Sequence, residues 1–156
     1  MEDIADPSEG FAGTFEASFA RFQVCVERAC AENSDWAARI ATAIRAGFEF
    51  AAADPAAADI LTNRALAAGG DGVARYNRLL AYVAEGLAPG REARPDGAEL
   101  PQLTERAIAG GLAGLVAERL GRRRADELPA LASEAIQFAL TPYLGMDRAR
   151  RVAGTI

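Results

Sequence analysis

The chain has no histidine and no lysine; all 17 of its basic residues are arginines. Without histidine it lacks the commonest metal ligand and the commonest acid–base catalyst, so Ser-His-Asp, Cys-His and His-based zinc arrangements are excluded. A di-iron bundle built on Glu-x-x-His pairs is excluded with them. No catalytic residue, metal site or cofactor site is expected. There are only two cysteines, Cys25 and Cys30. Five positions apart on one helix, they lie about 140° from each other around the axis, which is poor geometry for a disulfide. Inert thiols are the expectation. No apolar run approaches the roughly 20 residues needed to cross a bilayer, and the acidic start has neither the basic nor the apolar segment of a secretory leader. No membrane partner is expected, and the cytoplasm is the expected compartment.

Positive charge is also short, and the net charge is −5. An acidic chain approaches phosphate at an electrostatic cost, so direct nucleic-acid binding by these residues is not expected. The two basic clusters, Arg122-Arg123-Arg124 and Arg148 with Arg150 and Arg151, have no interleaved aromatics and read as solvated helix ends.

Half of the 156 residues are apolar, enough for one globular domain with a core of its own. Nothing alternates like a strand, so no glycine-rich phosphate loop follows one; the pattern is helical throughout. Asp6-Pro7-Ser8-Glu9 reads as a capped helix start. Phe11, Phe15, Phe19, Phe22 and Val26 then form one apolar stripe on a helix running to about Asn33. Ser34 or Asp35 caps a second helix whose buried face is Trp36, Ile40, Ile44, Phe48 and Ala51. Asp54-Pro55 restarts the chain into a shorter helix with Ile60, Leu61 and Arg64, stopped by Gly69-Gly70. Val73, Tyr76, Leu80, Val83 and Leu87 mark a fourth helix. A loop rich in proline, glycine and charge is expected from Ala88 to about Leu100. A fifth helix carries Ile108, Gly111, Leu112, Leu115 and Val116, and a sixth spans roughly Asp126 to Thr141. Pro142 should end the sixth, because it has no N–H and crowds the preceding turn. A short helix from Asp147 closes the chain.

The phenylalanine stripe either fills the core or lines a cavity against alanine-rich helices; its periodicity admits both. Phe22, Phe48 and Leu80 are candidate ligand-contacting residues. Asn63, Arg64, Tyr76 and Asn77 are candidates for the few polar groups that orient a ligand, with Gln137 a further one. Gly110-Gly111 inside a helix costs on the order of 1–2 kcal/mol relative to alanine. That cost points to close approach of another helix, within the subunit or across a dimer.

Several segments, in order, resemble the regulatory domain of TetR-family transcriptional repressors. They are Asp35-Trp36 with Arg39 and Ile40, Phe48-Glu49-Phe50 followed by Asp54-Pro55, and Leu87-Ala88-Pro89-Gly90-Arg91 before a loop. Ala107 to Leu112 and the closing Leu140-Thr141-Pro142-Tyr143-Leu144-Gly145 complete the series. The resemblance implies an all-α bundle of six long helices plus a short terminal one. It also implies a pocket for an apolar small molecule, and a first helix that moves a DNA-binding head when ligand binds. A homodimer through the last two long helices follows in the same way, with contacts from Ile108, Gly111, Leu112, Leu115, Val116, Ile136 and Leu140. The family's helix-turn-helix would precede the segment from Ile4 to Phe11, so this sequence starts where that head would end, and no DNA contact carries over. The resemblance therefore implies a sensing and dimerisation domain, not an enzyme. The alternative is a headless helical protein that pairs with a partner and senses nothing.

Overall fold

The computed structural model describes residues 7–155. The cap assigned to Asp6 and the segment from Ile4 to Asp6 lie outside the described residues. Within them the chain is all-α, with seven helices and no strand. These are α1 (Pro7–Cys30), α2 (Trp36–Ala53), α3 (residues 55–67), α4 (Gly70–Leu87), α5 (Thr104–Gly121), α6 (Leu128–Leu144) and α7 (Met146–Thr155). Five are long and two short, because α3 is brief and widens into a π-helical turn at Ile60–Arg64. No described helix is long and apolar enough to cross a membrane.

Caps and turns decide the boundaries. Helix α1 stops at Cys30, three residues short of the sequence expectation. Asn33 is drawn into the turn instead: its amide donates to the Thr42 hydroxyl (3.0 Å), and its carbonyl accepts from Arg39 (3.2 Å). The Asp35 carboxylate accepts from Ala38 N at 2.9 Å, making it rather than Ser34 the cap of α2. Asp54 repeats the device at α3, accepting from Ala57 N at 3.0 Å, and also pairs with Arg21 at 2.7 Å.

Two features depart from the sequence expectation. The stretch after α4 is not an open loop but two 3₁₀ turns, Ala88–Ala93 and Gly97–Glu99. Arg91 binds them together, donating to the carbonyls of Gly97, Leu100 and Pro101 and to both carboxylate oxygens of Glu105 on α5. Helix α6 does not end at Pro142 but passes through it to Leu144. Proline removes one intrahelical bond, and the last turn is held by other means. The Thr141 hydroxyl donates to Gln137 O (2.6 Å), Arg94 donates to Pro142 O (2.7 Å), and the Tyr143 ring is buried. The chain reverses at Gly145, whose φ of 75° a side chain would resist.

The apolar residues fall into two clusters. In one, the Phe15 and Phe19 rings of α1 pack with Ile60, Leu61 and Ala65 of α3 and Leu79 of α4. The other is built on α2 and α6, with Ile40, Ile44 and Phe48 against Leu128, Ile136 and Leu140. Helix α7 closes the second through Ala149 and Ala153, and Arg45 of α2 donates to Ala153 O at 2.7 Å.

Candidate functional site

Where the two clusters meet, side chains from both leave a cavity of about 420 Å³. That is within the roughly 300–1,000 Å³ typical of small-molecule pockets. Small residues make the room. Ala43, Gly47 and Ala51 follow one another at helical spacing along α2, and Ala58, Ala109 and Ala113 continue the wall on α3 and α5. Bulk comes from Phe22 on α1, Phe50 on α2 and Tyr82 on α4. Phe22 meets Phe50 edge-on at 5.6 Å and Tyr82 at 6.1 Å between ring centroids. The π-helical turn contributes Leu61 and Thr62, and the Thr62 hydroxyl is spent on Ala58 O at 2.8 Å. π-Turns recur at functional sites because the extra residue redirects neighbouring side chains.

One end of the cavity is polar. The last turns of α1 and α4 and the first turn of α2 converge there, contributing Glu27, Cys30, Trp36, Arg39, Glu85 and Gly86. The Trp36 indole N–H donates to Gly86 O at 3.0 Å. Burial pushes the Cys30 thiol up despite the opposing Arg39 charge, so it stays protonated and donates to Arg39 O at 3.4 Å. Cys25 is half-buried and both thiols are free.

The sequence candidates are divided between this cavity and other places. Phe22, Phe48 and Leu80 line it. Asn63, Arg64, Tyr76 and Asn77 do not. The Asn63 amide is used in packing, donating to Asp59 and to Ala117 O, which ties α3 to α5. Arg64 lies on a second groove of about 560 Å³, whose charged walls include Glu9, Asp71 and Arg75. Tyr76 joins the α1 phenylalanine cluster, and Asn77 is exposed and accepts from Arg106 at 2.7 Å. Gln137 is not among the lining residues either; its carbonyl accepts from Thr141. Sequence reasoning missed Gly47, Phe50, Leu61, Tyr82 and the charged rim. The run of small residues 43, 47 and 51 was the available signal.

The residues expected at a dimer interface divide similarly. Ile108, Ile136 and Leu140 are buried inside the subunit, and Leu112 and Val116 line the cavity, so these five serve this chain's own interior. Gly111 is exposed, and a Cβ there would stand 3.1 Å from the Phe138 ring of α6. The glycine thus accommodates an aromatic of the same subunit. Phe138 itself is 53% exposed and was not expected from the periodicity.

A second polar assembly lies beneath the 3₁₀ turns. Glu105, 9% exposed, accepts from Arg91 at 2.8 Å and from the Tyr143 hydroxyl at 3.0 Å. The Arg91 hydrogen bond holds the Glu105 carboxyl below its usual range. Gly90 lies over Trp36 and Tyr143, where a Cβ would come within 2.3 Å of the indole. Every polar group here has a protein partner, which is the arrangement of a structural lock rather than a reactive centre. Among the described residues no group of three or more histidine, cysteine, aspartate or glutamate side chains is placed to hold a metal.

All three tyrosines are held above their ordinary range, each chiefly by burial; Glu27 adds to this at Tyr82 and Glu105 at Tyr143. A folded-state pKa above the unfolded one contributes stability that is complete below the unfolded value, near pH 10, and lost as pH rises past it. Arginine stays charged through that range, and there is no lysine to titrate. Phenolate absorbance and loss of the helical circular-dichroism signal are therefore expected to rise together above about pH 10. Tyr143→Phe should make that transition shallower, because one of the three linked protons is removed. Phenolate forming well before unfolding would contradict the burial.

No protein-family model, curated protein or solved structure matches this chain.

Proposed function

We propose that the chain is a ligand-sensing, dimer-forming regulatory domain of the TetR type, and that its ligand is a largely apolar small molecule bound in the cavity between α1, α2 and α4. The single observation that carries this reading is the cavity itself: about 420 Å³ of mostly apolar-walled space in a domain of this size. Closely packed interiors leave few voids larger than a water molecule. Phe22 gives the reading its mechanism. It projects from α1 into the cavity wall and packs on Phe50 and Tyr82, so a ligand that displaces its ring also displaces α1. In the regulatory design that the sequence resembles, α1 is the lever for a DNA-binding head, which is not part of these 156 residues. The outward sides of α5 and α6 support dimerisation: Gly111, Gly114 and Phe138 are exposed there, with Leu115 half-buried beside them.

A helical interaction protein that senses no ligand is the second reading. It is favoured by exposed apolar side chains such as Leu103 and Phe138, the former 73% exposed. Native mass spectrometry of freshly purified protein, combined with sedimentation, separates the two. Sensing predicts a dimer that carries, or takes up, a small apolar molecule. A micromolar monomer would remove the dimer, and a dimer that binds no small molecule would favour the interaction protein.

A further inference from the structure

Trp36 touches both the cavity and the folded 88–100 segment. It is the only tryptophan of the chain, the first residue of α2, and part of the cavity's polar end. The Asp35 cap fixes its backbone, so the indole moves by side-chain rotation. Its N–H is held by Gly86 O, and its ring packs edge-on against Tyr143. Gly90 lies against Cζ2 and Cη2 so closely that no side chain would fit between them. Gly86 and Gly90 flank the turn by which α4 passes into the 88–100 segment. One short stretch of chain therefore holds the indole at residue 86 and blocks it at residue 90.

The 88–100 segment behaves as one body. Arg91 donates to the carbonyls of Gly97, Leu100 and Pro101 and to the Glu105 carboxylate. Gly97 lies directly on the Arg91 carbonyl, with no room for a Cβ. Arg94 ties the same segment to Pro142 O on α6. An indole pressed from the cavity toward residue 90 thus meets backbone, and close-packed surroundings transmit such a displacement instead of absorbing it.

We infer that the 88–100 segment is a regulatory strap on the cavity, acting through Trp36. The strap sets the indole, and the indole sets the room at the cavity's polar end. Trp36 is a positioning residue in this arrangement. Gly90 and Arg91 do not line the cavity and act on it only through that ring. Coupling of this kind is reciprocal, so a ligand that displaces the indole also displaces the strap. This rests on the reading of the cavity as a ligand site, and adds a control element outside it.

Calorimetric titration with 1-decanol, an uncharged probe kept below its solubility limit, tests the relay as a double-mutant cycle. Gly90→Ala should push the indole into the cavity and weaken decanol binding about tenfold. In a Trp36→Phe background, whose smaller ring leaves room for the added methyl group, the same substitution should change affinity by less than about twofold. Equal weakening in both backgrounds overturns the inference, as does an unchanged or tighter affinity for Gly90→Ala. Arg91→Gln gives a readout without ligand, because it unclamps the strap and leaves the cavity walls intact. With one tryptophan in the chain, fluorescence reports this indole alone. Below the unfolding transition, its emission should shift to longer wavelength and acrylamide should quench it more strongly than in the parent protein. Emission and quenching that do not change overturn the inference. If decanol binds none of the four proteins of the cycle, the ligand reading of the cavity fails, while the fluorescence of Arg91→Gln still decides whether the strap sets the indole.

Discussion

Replacing Tyr143 with alanine is expected to lower folding stability by about 4 kcal/mol, measured by chemical denaturation. The side chain is 2% exposed and joins three parts of the molecule. Its ring meets Trp36 edge-on at 5.3 Å, its hydroxyl donates to Glu105, and Gly90 lies against its Cδ1. Alanine would open a cavity under the 3₁₀ turns and leave a buried carboxylate with one fewer donor. Tyr143→Phe keeps the ring and loses only the hydrogen bond, so about 1–2 kcal/mol is expected. The difference between the two substitutions separates packing from hydrogen bonding. Equal losses would mean that the ring contributes little and that Glu105 is the element holding α6 to the 3₁₀ turns. Pro142 survives inside α6 because this anchor follows it directly.

The second large effect concerns binding. Ala43→Phe places an aromatic ring in the cavity from the small-residue wall of α2. It should reduce uptake of any cavity ligand by at least about a hundredfold, since the space needed for the apolar body is gone. Folding should survive, because the added ring enters existing space rather than a close-packed core, where overpacking would cost about 1–3 kcal/mol. The paired measurements are ligand affinity by titration and thermal stability by circular dichroism. Retained affinity would put the ligand elsewhere, the charged groove at Arg64 and Arg75 being the next place to look. A severe loss of stability would show that the space closes in solution.

Periodicity carried much of the fold. The phenylalanine stripe of α1, the Trp36-to-Ala51 face of α2 and the Asp35 and Asp54 caps are local patterns, and each corresponds to an observed element. Local patterns could not reveal the π-helical turn at Ile60–Arg64. Nor could they reveal the folded 88–100 segment, which depends on Arg91 reaching Glu105 fourteen positions away. The candidate site was legible only in its apolar half. Phe22, Phe48 and Leu80 belong to helical faces that must point inward, whereas Asn63, Tyr76 and Asn77 stand out in the sequence only by polarity, and polarity does not say which neighbour a side chain will meet. Asn63 found a carbonyl on α5, and Asn77 found an arginine on the same helix.

By itself the sequence determined the class of the molecule: helical throughout, acidic, without histidine chemistry, its helices begun and ended by caps, proline and glycine. Those are consequences of backbone geometry and composition, which act within a few residues. Tertiary structure alone decided that two apolar clusters would meet imperfectly, leaving a cavity rather than a seam. It also decided that Gly90, fifty-four positions along the chain, would lie against the Trp36 indole at its polar end. Packing between distant segments depends on where each element lies relative to the others, and neighbouring residues do not encode that.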